Sequence, residues 1–165
     1  MGYVVLDTET TGLEDDDQII EIAIVDFEGN TLVNTRIKPT VDIDPGAQSV
    51  HGISIDDLAD CPSWPDVEAD IKAALTDKIV IIFNAPFDKR MLKQTARAFG
   101  SDTEWIRETI TSCAMYYAAK KYGATNRYGT ISLSNAVARA GCGWHGQAHS
   151  ALGDALTTLA LYKTI

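Results

Sequence analysis

Five side chains are of types that could do chemistry together if the fold gathers them: Asp7, Glu9, Asp88, His149 and Asp154. Asp7 and Glu9 close the apolar run Tyr3-Val-Val-Leu6, and Thr11-Gly12 then breaks the pattern. A strand puts residues i and i+2 on one face, so these two carboxylates project side by side. Two acids at the end of an apolar strand are costly to desolvate unless something positive sits between them. Magnesium is held by one or two carboxylates plus substrate phosphate oxygens, so a hard divalent cation is the natural partner. The plain alternative is a strand with two solvent-facing acids. Asp88 falls in the first turn of a predicted helix, where an acid also suits the helix dipole. Asp154 lies in the last helical segment, with His149 five residues before it.

The elements that must position these residues are legible in outline. Gln18–Phe27 and Thr31–Lys38 read as strands joined by the turn Glu28-Gly29-Asn30, so the chain opens as a three-stranded antiparallel meander. Short helical turns are predicted around Ala47–Val50 and Ile55–Leu58. Ser63, with Pro65 close behind, marks the capped start of an amphipathic helix running to Leu75. Lys78–Asn84 is a continuous apolar run, fit for a strand buried on both faces, and passes straight into a helix from Ala85. A strand over Ile110–Cys113, a helix through Tyr122 and a polar loop at Ala124–Thr130 come next. Ser132 caps a short helix stopping at Gly141, and Gln147–Tyr162 forms the last helix. This order predicts an α/β fold, a mixed sheet flanked by helices, in one domain over residues 1–165.

One spacing constrains the last helix. Five residues carry a helix roughly 140° past a whole turn, at 3.6 residues per turn. His149 and Asp154 therefore cannot share a face of one regular helix, and His149 belongs at a frayed start or in the preceding loop.

Composition bounds the partners. The chain has 165 residues, 45% apolar and 22% charged, as in an ordinary globular protein with a sizeable core. No stretch is long or apolar enough for a membrane span, and the N-terminus lacks the basic region of a signal peptide. Cys61, Cys113 and Cys142 are odd in number and lack metal-ligand spacing, so reduced thiols and a cytoplasmic location are expected. The net charge of −9 is unevenly spread: residues through Ala85 carry 4 Lys/Arg against 18 Asp/Glu, and those from Pro86 onward carry 10 against 5. The second half can meet a polyanion while the first supplies acids; solvated charge on opposite faces is the alternative. Glu14–Asp17 reads as a solvated acidic loop. Lys89, Lys93 and Arg97, spaced by four, form a helix stripe that reads first as a solvated face and second as a phosphate track.

Taken together, the motifs carry a resemblance. Asp7-Thr-Glu-Thr-Thr-Gly is similar to the first motif, D-x-E followed by T-G, of the DEDDh branch of the DnaQ-like 3′–5′ exonucleases. Asn84-Ala-Pro-Phe-Asp88 resembles the second, N-x-x-F-D, and His149-Ser-Ala-Leu-Gly-Asp154 the third, H-x-x-x-x-D. Val50-His51-Gly52-Ile53 resembles a loop common in these proteins. The resemblance implies a ribonuclease H-like fold, with a five-stranded mixed sheet in which the antiparallel meander is followed by parallel strands. It implies hydrolysis of phosphodiester bonds from the 3′ end of nucleic acid, with release of nucleoside 5′-monophosphates. Asp7, Glu9, Asp88 and Asp154 would hold two Mg²⁺ or Mn²⁺ ions, and His149 would be the general base, since imidazole titrates near neutrality. His145 and His51 are rivals for that base, but neither has the spacing to Asp154, and both read as loop residues.

Thr8, Leu13 and Phe87 are candidates for contacting the terminal nucleotide, although a Phe beside Asp88 more commonly belongs to the core. Single-stranded DNA is the expected partner, with RNA as the alternative and no membrane; a homodimer or polymerase partner is not readable. The chain ends eleven residues after Asp154, which favours a stand-alone enzyme over one tethered to a polymerase. Two other functions fit parts of the pattern: a hydrolase of dinucleotides or short oligonucleotides on the same site, and a non-catalytic nucleic-acid-binding module. The second predicts a substitution at one or more of the five positions, and none is substituted.

Overall fold

The computed structural model describes all residues, Met1–Ile165. Strands β1 (Gly2–Thr10), β2 (Ile19–Asp26) and β3 (Thr31–Arg36) form the opening meander. Helices α1 (Pro45–His51) and α2 (Trp64–Leu75) follow, with a single 3₁₀ turn at Asp56–Leu58 between them. The chain continues as β4 (Lys78–Ile82), α3 (Ala85–Ala98), α4 (Glu104–Glu108), β5 (Ile110–Cys113), α5 (Ala114–Tyr122), α6 (Leu133–Ala140) and α7 (Ala151–Tyr162). The sheet order is β3-β2-β1-β4-β5, with the meander pairs antiparallel and the β1–β4 and β4–β5 pairs parallel. The mixed five-stranded sheet flanked by helices is thus as expected.

Strand alternation divides the core in two. Val4 and Leu6 of β1, with Ile22, Ile24, Val80 and Ile82, face α2 and α3 through Trp64, Ile71, Met91 and Leu92. Val5, with Ala23, Val25 and Ile81, faces α5 and α7 through Ala114, Ala151, Ala155 and Leu159. The small side chains at Ala23, Ala151 and Ala155 let α7 lie close across β1 and β2. The same alternation sends Asp7 and Glu9 toward α7 and Thr8 toward α3.

Three expectations need correction. The last helix begins at Ala151, not Gln147, because Ser150 caps it by accepting the Gly153 N–H at 3.1 Å. Asp17 is buried rather than solvated: it accepts from the Thr11 hydroxyl at 2.6 Å and the Glu14 N–H at 2.8 Å. Helix α4 was not anticipated. Lys89 closes its end by donating to the Arg107 and Thr109 carbonyls at 3.1 and 2.8 Å, which removes Lys89 from any phosphate-tracking stripe. No helix is long and apolar enough to cross a membrane.

Candidate active site

Asp7 and Glu9 extend from β1 toward the first turn of α7, where Asp154 meets them. One carboxylate oxygen from each of the three lies within 4.8 Å of the other two. The antiparallel ladder is irregular between Glu9 and Thr10, which ends regular pairing just where the acids gather. A fourth acid, unforeseen from sequence, braces them. Glu21 stands directly across from Glu9, accepts the Ala151 N–H at 2.8 Å and the Arg36 Nε–H at 3.0 Å, and so pins the start of α7 to β2. Its one sequence signal is a charge in the apolar run Ile19–Val25.

Asp88 reaches the site from the other face of the sheet. It is buried in the first turn of α3, and the Thr8 hydroxyl donates to its Oδ1 at 2.7 Å. Thr8 thus orients the Asp88 carboxylate and also borders the cleft that Asp88 lines. Asp7, Asp88, Asp154 and His149 line one cleft of about 290 Å³, walled by Phe87, Trp144 and the Ser132–Ser134 turn. No lysine or arginine lines it.

The electrostatics follow from this crowding. Burial, then the charges of Asp88, Asp154, Glu9 and Glu21, hold the Asp7 carboxyl well above the usual carboxylate range. Burial and the neighbouring acids push Glu9 up to about 8. Burial pushes Asp88 up to about 7, against the opposing effect of the Thr8 hydrogen bond. Asp154 is raised by burial, tempered by the bond from the His149 N–H. Asp7 Oδ2 is buried with no hydrogen-bond partner. A buried, unpartnered oxygen within a converging set of hard carboxylate donors fits a divalent cation.

His149 resolves the spacing problem with an unusual backbone. Its φ is +62°, in the left-handed region, and its N–H donates to Asp154 Oδ1 at 3.0 Å. The residue lies before the helix, exposed, and lines the same cleft as Asp154. The Gln147–Ser150 turn packs against Gly153, where an added Cβ would sit 2.1 Å from the Gln147 carbonyl oxygen. Gly153 is a second residue that spacing alone did not single out.

The rival histidines are occupied elsewhere. His51 Nδ1 accepts the Ile53 N–H at 3.0 Å, and Nε2 lies 3.0 Å from the Thr10 carbonyl. The backbone of His145 is bonded on both sides to the Thr157 hydroxyl. Beside the acid cleft lies a second cavity of about 310 Å³, lined in part by Thr8, Glu9, Leu13, Val50, His51 and Phe87. Leu13 is exposed there, and its carbonyl accepts from Arg90, whose guanidinium lies 5.7 Å from the Phe87 ring centroid. Phe87 is half-buried, packs on the core and borders both cavities.

A family model described as Exonuclease matches residues 4–162. The chain belongs to the exonuclease family. Its place among the DnaQ-like exonucleases and its ribonuclease H-like fold agree with that match. This exonuclease is 34% identical to the uncharacterized exonuclease CP81 of Escherichia phage 186, over 98% of its own length and 87% of the phage protein. It is likewise 34% identical to the PolC-type DNA polymerase III of Thermotoga maritima over 97% of its own length, but spans only 11% of that polymerase. Among solved structures it resembles exonuclease X in complex with 5′-overhanging duplex DNA. The TM-score is 0.73 at 25% identity, covering 98% of this exonuclease and 90% of the other chain.

Proposed function

We propose that residues 1–165 act as one unit that removes nucleotides from the 3′ end of single-stranded nucleic acid, DNA in the first instance, as nucleoside 5′-monophosphates. The observation that carries this reading is the convergence of Asp7, Glu9, Asp88 and Asp154 with His149 on one site. The similarity to a DNA polymerase and to a DNA-bound exonuclease supports DNA over RNA.

Asp7, Glu9, Asp88 and Asp154 are the residues to hold two Mg²⁺ or Mn²⁺ ions. When bound, such a pair supplies charge stabilisation for both the attacking and the leaving oxygen of an in-line displacement. The chain's own residues supply the rest. Thr8 fixes the Asp88 carboxylate, and Glu21 fixes the start of α7 and with it Asp154. His149, whose backbone N–H donates to Asp154 at the edge of the cleft, places its imidazole to accept the proton of the attacking water. The neighbouring cavity, with Leu13, Val50 and Phe87 as its apolar wall, takes the terminal base, and Thr8 and Glu9 border it on the side of the acids.

One observation favours a second reading. Neither cavity is lined by lysine or arginine, and each is small, which suits a dinucleotide or short oligonucleotide as well as a polymer. The test is to incubate 5′-end-labelled single-stranded DNA and RNA with and without Mg²⁺ or Mn²⁺, beside an Asp7→Ala control. A ladder shrinking from the 3′ end, abolished by EDTA and in the variant, is expected. A folded protein that cleaves dinucleotides but neither polymer would replace the first reading with the second.

A further inference from the structure

The region after β5 has an uneven chemistry that the acid site does not use. From Ala114 to Ile165 there is one acid, Asp154, against Lys120, Lys121, Arg127, Arg139 and Lys163. Two of these bases are committed to the fold: Arg139 donates to the Tyr122 and Gly123 carbonyls, and Lys121 to the Thr164 carbonyl. Arg127 is not. It lies on the α5–α6 loop, its guanidinium 4.9 Å from the Tyr128 ring centroid and bonded to the Tyr128 hydroxyl at 2.7 Å. Tyr128 is 73% exposed, as open as any large apolar side chain in the protein.

That exposure is built. The Thr125 N–H donates to the Thr130 carbonyl at 2.9 Å, closing the loop at its base. The Asn126 carboxamide oxygen accepts from the Tyr128 and Thr130 N–H groups at 3.0 and 3.1 Å, and its amide donates to the Thr130 hydroxyl at 2.8 Å. Asn135, in the first turn of α6, donates to the Thr125 hydroxyl at 3.3 Å. This is the turn whose Ser132 and Ser134 wall the acid cleft. Ser132 is four residues on from Tyr128, so the Tyr128 backbone lies within about 14 Å of the cleft wall. An ordered loop that holds an aromatic ring in water with a cation on one face leaves the other face for a flat partner.

We infer that the Arg127–Tyr128 pair is a stacking platform for the single-stranded polynucleotide whose 3′ end occupies the cleft, binding a base a few nucleotides inward. The inference rests on the proposed 3′ exonuclease function and adds a polymer contact that the two small cavities lack. Aromatic stacking is sequence-tolerant, because every base has a π-face, and arginine adds attraction to the phosphates.

The test compares wild type with Tyr128→Ala, Tyr128→Phe and Arg127→Gln on a 20-nucleotide strand and on a dinucleotide, with DNA and RNA arms. Tyr128→Ala should lower the ratio of kcat/KM for the long strand over the short by about tenfold, the loss of one stacked base. Tyr128→Phe should keep most of that ratio, and Arg127→Gln should flatten the salt dependence of KM by about one charge. A ratio within twofold of wild type for Tyr128→Ala in both arms would overturn the inference and assign the loop to a partner of another kind. Anisotropy of labelled dT and rU strands on the Asp7→Ala protein separates this result from failure of the cleavage reading. Binding weakened about tenfold by adding Tyr128→Ala would uphold the platform even without 3′ cleavage, and unchanged binding would overturn it.

Discussion

Two acid-lined grooves lie at opposite ends of the parallel strands, and they differ in the company their acids keep. The larger, about 450 Å³, opens where β4 and β5 begin and is bordered by Asp77, Asp102, Glu104 and Glu108 with Lys72 and Lys78. There Glu104 is exposed and bonded to Arg107, whose guanidinium holds it below the usual carboxylate range. The smaller, about 290 Å³, has no basic side chain in its lining, and its acids are pushed the other way, Asp88 up to about 7. Volume and acid content do not distinguish a site. Convergence of crowded carboxylates, one of whose oxygens has no partner, does.

The comparison breaks most completely at Asp7. Asp7→Asn removes the most crowded of the acids and should lower cleavage by about 10³-fold, several kcal/mol of lost charge stabilisation. The same variant should be more stable than wild type without metal, because a buried repulsion is gone. The pH dependence has a definite sign. Asp7, Glu9, Asp88 and Asp154 bind protons more tightly in the folded protein than ordinary carboxylates do. The contributions of Asp88 and Glu9 are therefore fully present below the usual carboxylate range and are lost as pH rises through about 7 and about 8, and those of Asp7 and Asp154 have the same sign. In EDTA, the melting temperature should fall between pH 5 and pH 8, recover at pH 8 on adding Mg²⁺, and change less in Asp7→Asn. A melting temperature in EDTA that is flat over this range would contradict the crowding.

Gly153→Ala comes next. The new Cβ would meet the Gln147 carbonyl oxygen at 2.1 Å, so the turn carrying His149 must shift. A displacement of about 1 Å at a reacting group can cost about 10²-fold, and that loss should appear in kcat with metal affinity largely kept. Equal losses in kcat and in metal affinity would mean instead that Asp154 had moved.

These residues also show how far the sequence could be read. Asp7 and Glu9 were legible because sharing a strand face needs only the local period of two. Spacing places His149 off the regular helix because five residues do not close a turn, yet periodicity starts that helix at Gln147. What moved the start to Ala151 is a pair of side-chain bonds, Ser150 to the Gly153 N–H and Asp154 to the His149 N–H, which periodicity does not encode. Glu21 was missed because its partners, Arg36 and Ala151, lie 15 and 130 residues away. Thr8 was read as a substrate contact, and its bond to Asp88 depends on α3 packing against the face of β1 opposite Asp7 and Glu9. Residue types point to the acids that converge; tertiary contacts show what orients them.

Thr8→Val tests such an orienting contact. The hydroxyl donated to Asp88 holds that carboxyl's proton affinity down, so its loss should push Asp88 still higher. Cleavage should fall about tenfold near neutral pH, in line with about 1 to 2 kcal/mol for a hydrogen bond to a charged group. Part of the loss should return at higher pH, where Asp88 ionises despite the missing donor. A pH-independent loss would make Thr8 a packing residue only.

The smallest effect belongs to the other groove. Glu104→Gln removes an exposed partner of Arg107, and solvent and salt screen such pairs. Its cleavage rate and its metal-free melting profile between pH 5 and pH 8 should both overlay those of wild type. This variant is the control that gives the others meaning. Glu104 is an acid bordering a larger groove, so if acidity and concavity were enough, its loss would register as the loss of Asp7 does. A substantial fall in cleavage for Glu104→Gln would mean that the two ends of the sheet are coupled, and the contrast between paired and crowded acids would no longer explain where the chemistry resides.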